Sequence, residues 1–346
     1  MNYDITLNTA PPMPKLGRGV ECLALLLSQV SKDMRQPLLP MIIPALAAHV
    51  SGAQFIYPDH TLKELCGMMA NLVADSGAGK GQLSGLVEAM CGDFRVHDDG
   101  ELEKLVEWQK MVKSKSANKE KPVRPDISFW YPPADMTNAA FVQNAMGCEK
   151  LGARTMFINM PEVEMADRMC GGHKQISQTL RNIYDCQRSG ALRATADGVT
   201  GNPVLRVNMT ISSTPYAARM FYKKDLFNGI FGRMVFSYKP RQGRDGHIPR
   251  QGTYPEEFYE KLATYLRRLD SCKGRFEIQQ LNRLIDKLAA DMAKLADLTD
   301  DDVLWDISKR SLVSAWKAGC VLWILNGLEW APTIGRVVEW LVYHDL

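Results

Sequence analysis

Ala74-Asp75-Ser76-Gly77-Ala78-Gly79-Lys80-Gly81 is the stretch that decides the fold class. Three glycines surround one lysine. An apolar run, Met68–Val73, comes directly before them, and Leu83-Ser84-Gly85-Leu86-Val87-Glu88-Ala89-Met90 follows at helix spacing. A bend of this kind between a strand and a helix suits dense negative charge. The helix start offers unpaired N–H groups and the positive end of the dipole, the glycines let the backbone come close, and a lysine reaches the outer phosphates. The stretch predicts a cradle for a nucleoside triphosphate, formed by Ser76, Gly77, Ala78, Gly79, Lys80, Gly81 and Gln82. The plainer alternative is a strand-to-helix turn that holds nothing.

Two positions depart from the usual G-x-x-x-x-G-K-[ST] pattern. Ala74 stands for the first glycine, a mild change. Gly81 stands for the serine or threonine whose hydroxyl normally holds magnesium, which bears on catalysis. Mg2+ would then be held through water, through Ser84, or poorly. Gly-Lys-Gly also occurs in nucleotide monophosphate kinases, but those follow it with threonine where this chain has Gln82, and no arginine-rich lid with their spacing is present.

Outward from the loop, apolar runs alternate with helical periods. Ile127–Tyr131, Thr155–Asn159, Leu205–Ile211 and Met234–Tyr238 join Met68–Val73 as predicted strands. This order implies an α/β fold with a mostly parallel sheet and helices on both faces. A triphosphate-hydrolysing site also needs an acidic residue at the end of a neighbouring strand. The run Thr155–Asn159 leads into Met160-Pro161-Glu162-Val163-Glu164, which makes Glu162 the candidate base or magnesium-side acid (through water) and Glu164 its support. Alternatively both glutamates open the next helix. Ser213 and Thr214 are candidate γ-phosphate sensors or simple strand terminators. Arg233 is a candidate arginine finger or the partner of a local carboxylate.

The flanks read as helical. Three prolines mark residues 1–16 as an extended arm, and a helical pattern from Gly17 to Ser51 is predicted to break at Pro37–Pro40. Helices are expected over Glu256–Arg268, Phe276–Ala296, Val303–Asn326 and from Thr333, the last still running at Leu346, as though it continues into further residues. The resulting division is an N-terminal arm with helices (1–56), a P-loop core (57–254) and a C-terminal helical domain (255–346). Eight scattered cysteines show no metal-ligand spacing with one another or with the six histidines, and most, set among apolar neighbours, are read as buried free thiols in a reducing cytoplasm. No apolar stretch is long enough to span a bilayer. A net charge of +3 leaves any nucleic-acid footprint to local patches. Ser237–Tyr254, with Lys239, Arg241, Arg244 and Arg250, suits either a loop gripping a phosphate backbone or a plain exposed loop, and the lysine-rich 113–124 stretch either a binding arm or a solvated helix end.

The loop, the lysine-rich insertion, Tyr131-Pro132-Pro133, Pro161-Glu162-Val163-Glu164, Gly229-x-x-x-Arg233 and the helical tail, in that order, resemble a primase- or helicase-like P-loop ATPase domain family of unknown function from Bacteroides-type mobile elements and prophages. The resemblance spans the chain from about Pro14. It implies a RecA-like core, ATP and Mg2+ as ligands, single-stranded or duplex DNA as partner, and a homo-oligomer. Lys80 would be the phosphate lysine, Glu162 and Glu164 the second acidic motif, and Arg233 the catalytic or interface arginine. Members usually carry serine or threonine after the lysine. Gly81 therefore leaves two readings open, an ATPase and a nucleotide-binding module with little turnover.

Overall fold

A parallel sheet has no hairpins, so each strand must be fed by a crossover and both faces need cover. The structure, a computed structural model, describes residues 11–114, 122–168, 173–190, 198–223, 229–240 and 252–345. Residues 1–10 of the arm, 115–121 of the lysine-rich stretch, Cys170, Arg241, Arg244 and Arg250 lie outside that set. The main sheet has four parallel strands, β3 (Met69–Ala74), β4 (Met156–Met160), β5 (Val207–Ser213) and β6 (Val235–Lys239), in the order β4-β5-β3-β6. Alternation splits β3 between two cores: Ala70 and Leu72 face one, Met69 packs in the other. Helices α7 (His173–Tyr184) and α8 (Pro215–Tyr222) lie on the Met69 side, with α5 (Asn138–Lys150) contributing Phe141 and Ala145.

The other face is covered by α2 (Lys32–Ala48), which packs against all four strands. The predicted break at Pro37–Pro40 does not occur, and the helix runs through Pro37, Pro40 and Pro44. Those prolines are spaced three and four apart, so the missing hydrogen bonds fall on one side of the helix. Each interior proline costs about 3 kcal/mol. Leu38, Leu39, Met41, Ile42, Ile43 and Leu46 are all buried, and each contributes roughly 1.5–3 kcal/mol. Burial outweighs the proline penalty, and tertiary packing overrides the local breaker.

Ile127–Tyr131 is not a strand, although it runs beside β4. Side chains supply what a neighbouring strand would have supplied. Asp98, on α4 (Gly92–Ser114), accepts from the N–H of Trp130 and Tyr131, each at 2.7 Å. Glu101 accepts from Ser128 N–H, His97 Nε2 donates to Ser128 O, and the Asn144 amide bonds both N–H and C=O of Phe129. Only Trp130 O is met by the strand, through Phe157 N–H. The apolar run was legible; its hydrogen-bond partners, contributed by α4 and α5, were not.

The N- and C-terminal stretches share a core rather than packing apart. A second sheet, β2-β1-β7, pairs β1 (Ala53–Ile56) antiparallel with β2 (Leu62–Lys63) and parallel with β7 (Gly274–Phe276). The turn Tyr57-Pro58-Asp59-His60 joins β1 to β2. Around it lie α1 (Glu21–Ser28), α9 (Glu256–Ser271), α10 (Gln279–Thr299), α11 (Asp302–Leu325) and α12 (Pro332–Asp345), whose apolar faces join α2 in one cluster. No helix among the described residues is long and apolar enough to cross a membrane.

The free-thiol reading holds for Cys22, Cys91, Cys148, Cys272 and Cys320, all buried. It fails for Cys66 and Cys186, which are joined in a disulfide across 120 residues. That separation hides the pair from any spacing rule. Beside it, Gly67 (φ +75°) runs so close to Tyr184 O that a Cβ would sit 2.3 Å from it. Lys317 of α11 is buried there and donates from Nζ to Cys66 O at 2.5 Å.

Two predictions follow from these buried polar groups. Replacing Asp98 by alanine strands two backbone donors, and should cost about 2–4 kcal/mol in urea unfolding, with Asp98→Asn costing less. Burial pushes the Lys317 ammonium down to about 8. In the unfolded chain a lysine titrates near 10.4, so between those values the unfolded state binds more protons and stability rises with pH. From pH 8 to 10 the wild type should therefore gain stability relative to Lys317→Met, measured by thermal melts of both.

Candidate functional site

The glycine-rich loop leaves the C-terminal end of β3, an interior strand, and enters α3 (Gly81–Met90). Open parallel sheets bind ligands at this end. Ala78 N–H donates to Asp75 O at 3.2 Å, closing a turn whose third residue, Gly77, has φ +75°. Gly79 follows at φ +89°. Both angles lie where a side chain is disfavoured, which explains glycine at these two positions. Ser76, Gly77 and Gly81 are exposed, while Ala78, Gly79 and Lys80 are half-buried.

Lys80 folds back along the loop, and its Nζ donates to Ala74 O at 3.1 Å. Burial lowers its pKa below the ordinary lysine value, while the charges of Glu162, Glu164 and Asp75 oppose the shift. The charges of both glutamates thus reach Lys80. Register explains how. Met160 pairs with Ile211, so continuing two residues sets Glu162 level with Ser213, which pairs with Val73 at the foot of the loop. With β5 lying between, the acidic strand stands about 10 Å from β3. Both carboxylates are exposed, and the backbone there turns into the short α6 (Met165–Arg168) through Met165 N–H to Glu162 O. Thus the helix-opening alternative also describes their backbone.

Other expected members of the site have different duties. Gln82 turns away from the loop: Ser31 N–H donates to its Oε1 at 2.8 Å, and its Nε2 donates to Ser31 Oγ at 3.1 Å. Ser213 is buried, donating to Asn71 Oδ1, whose amide donates to Tyr222 OH. Thr214 caps α8 by accepting from Ala217 N–H. Neither is free to sense a phosphate, and the strand-terminator reading describes both. Lys239 is buried at the end of β6 and pairs with Asp33 at 2.7 Å, so it belongs to the interior rather than to a gripping loop. Burial raises the Asp33 carboxyl, but the Lys239 ammonium and the Ser31 hydroxyl together hold it below its usual range.

Arg233 is not near this loop. It lies before β6, at the opposite end of the sheet, roughly 20 Å away at about 3.3 Å per residue. Its guanidinium donates to Gly229 O at 2.9 Å and to Asp185 at 3.2 Å. The local-carboxylate alternative is the one realised within this chain.

A polar chain that sequence reading missed links the acidic strand to the helix of the loop. Thr210 donates to Asn159 Oδ1, Asn159 donates to Tyr131 OH, and Tyr131 donates to Glu88 of α3, which Arg95 also grips. Polar residues within the apolar runs were the available signal. A cleft of about 1000 Å³ opens elsewhere, between α4 and α5, lined by Leu102, Leu105, Phe129, Pro132, Ala140 and Met146, and none of the loop residues takes part in it. The chain matches no protein-family model and no curated protein.

Gln82 should act as an anchor. Its replacement by alanine is expected to cost about 1–2 kcal/mol in urea unfolding, because Ser31 N–H loses its acceptor. Affinity for a fluorescent ATP analogue should fall less than in Lys80→Ala.

Proposed function

We propose that this chain is a P-loop ATP-binding protein with a RecA-like core, hydrolysing ATP in the replication or mobilisation of a mobile element's DNA. The observation that carries the nucleotide reading is Lys80: it lies in a two-glycine bend at the C-terminal end of an interior parallel strand, within reach of the charges of Glu162 and Glu164. Positive charge with helix N–H groups suits the phosphates, and carboxylates across a gap suit a magnesium shell and an attacking water. An interposed strand, β5, separates the two halves of the site and sets that gap. The link to DNA, and to assembly as a homo-oligomer, rests on the resemblance of motif order.

Gly81 favours a second reading, a module that binds nucleotide and controls assembly with little turnover. Titration with a fluorescent ATP analogue and Mg2+, beside a phosphate-release assay with and without single-stranded DNA, separates the two. Lys80→Ala should weaken binding about tenfold or more, as loss of a charge-assisted contact does. Glu162→Gln should keep binding and lower turnover by about 10² or more. Gly81→Ser should raise turnover by restoring a hydroxyl for magnesium. Binding without turnover in the wild type selects the module, and absence of binding removes both readings.

A further inference from the structure

Four elements converge on one buried histidine at the end of the sheet away from the loop. His49 closes α2 and is fully buried, and its Nε2 lies 2.9 Å from Met90 O, at the end of α3. A carbonyl only accepts, so Nε2 carries the proton, and in the neutral ring Nδ1 presents its lone pair. That lone pair faces Asp270, in the last turn of α9, at 3.2 and 3.3 Å, and Asp93, in the first turn of α4, at 3.9 Å. Carboxylates also only accept. Three acceptor atoms thus lie within 4.8 Å of one another. Either a second ring proton or a cation must reconcile them.

Geometry favours the cation. A charge-assisted N–H···O bond is about 2.7–2.9 Å long. With zinc bonds of about 2.0–2.1 Å, the ligand-to-ligand edge of a tetrahedron is roughly 3.3 Å, which His49 and Asp270 meet, while Asp93, half exposed at 3.9 Å, must move in to close the set. The surroundings match an outer shell as well. A metal-bound imidazole donates its other N–H to a carbonyl, and ligating carboxylates are themselves hydrogen-bonded. Here Arg154 places both Nη1 and Nη2 3.3 Å from Asp270 Oδ1, leaving Oδ2 to the site. The guanidinium is held over the rings of Phe94 and Trp130, at 4.6 and 4.2 Å. The Asp93 and Asp270 side chains are 49% and 34% exposed, which leaves a path for the ion and room for a water as fourth ligand.

We propose that His49 Nδ1, Asp93 and Asp270 bind a divalent transition-metal ion of the zinc type, at a site separate from the glycine-rich loop. The ion would pin together the ends of α2, α3, α4 and α9, tying the C-terminal helices to the layer that carries the loop. Spacing rules built on clustered cysteine and histidine overlook such a set, because His49 and Asp270 are 221 residues apart.

The test uses the full chain, stripped with chelator, titrated with zinc chloride in a calorimeter and with cobalt(II) in a spectrophotometer. One ion per chain is expected, with a Kd on the order of micromolar or tighter, visible d–d bands of tetrahedral cobalt, and a raised Tm. Asp93→Asn and Asp270→Asn should each weaken binding about tenfold or more. Asp93 is half exposed, so that variant keeps its fold, checked by circular dichroism, even if changes at His49 do not. Three results overturn the proposal: no binding below about 100 µM, unchanged affinity in both variants, or a near-ultraviolet thiolate-to-cobalt band that places the ion on cysteine.

Discussion

Burial of α2 across the sheet is the contact on which the rest of the structure depends. Four parallel strands cannot stand with one face in water, and α2 is the element that meets all of them while also touching α1, α3, α9 and α11. Its prolines make it a poor helix in isolation. Packing therefore has to form it, and its sequence carries the cost because the helix is buried throughout from Pro37 to Ala48. Small residues beneath it permit that approach: Ser237 donates to Pro37 O from the sheet, and Ala70 offers little bulk.

The same helix fixes the start of the candidate site. Ser31, just before α2, holds Gln82 of α3, and Asp33, in the first turn of α2, holds Lys239 of β6. Three elements meeting at the C-terminal end of the sheet are thus stitched through side chains, Gln82, Ser31, Asp33 and Lys239, with the Ser31 N–H also taking part. That arrangement leaves the loop residues Ser76, Gly77 and Gly81 exposed while their supports stay fixed. Rigidity under an open loop is what a phosphate-binding bend requires, because each N–H must already point correctly before the ligand arrives.

What the sequence revealed follows physical range. The loop, its strand and helix, and the glutamates after β4 are local patterns, and four of the five predicted strands form within two residues of their expected ends. Long-range partners set everything that was missed. Pro37–Pro40 reads as a break until α2 is known to be enclosed. Ile127–Tyr131 reads as a strand until Asp98, Glu101 and Asn144 take its backbone groups. Arg233 reads as catalytic until the sheet order sends it to the far end, where Asp185 meets it. Gln82 lies in the motif by position, yet its side chain belongs to Ser31. A motif names a place on the backbone, and packing decides where each side chain goes.

Gly81 gains its meaning from the same geometry. In the usual arrangement a hydroxyl at this position holds magnesium directly, next to the lysine. Here, apart from Ser84 on α3, the candidate carboxylates Glu162 and Glu164 arrive from β4, across the width of β5, and they are exposed. An ion held from that distance would keep more of its water, as magnesium tends to do. Such an ion neutralises phosphate charge but is positioned less firmly, and positioning is most of what phosphoryl transfer asks of a protein. On the proposed reading, nucleotide binding, which needs Lys80 and the backbone bend, would tolerate glycine at position 81 better than catalysis would. If a triphosphate binds as proposed, the balance between holding and hydrolysing would lie in how far Glu162 and Glu164 can reach toward Lys80 across it.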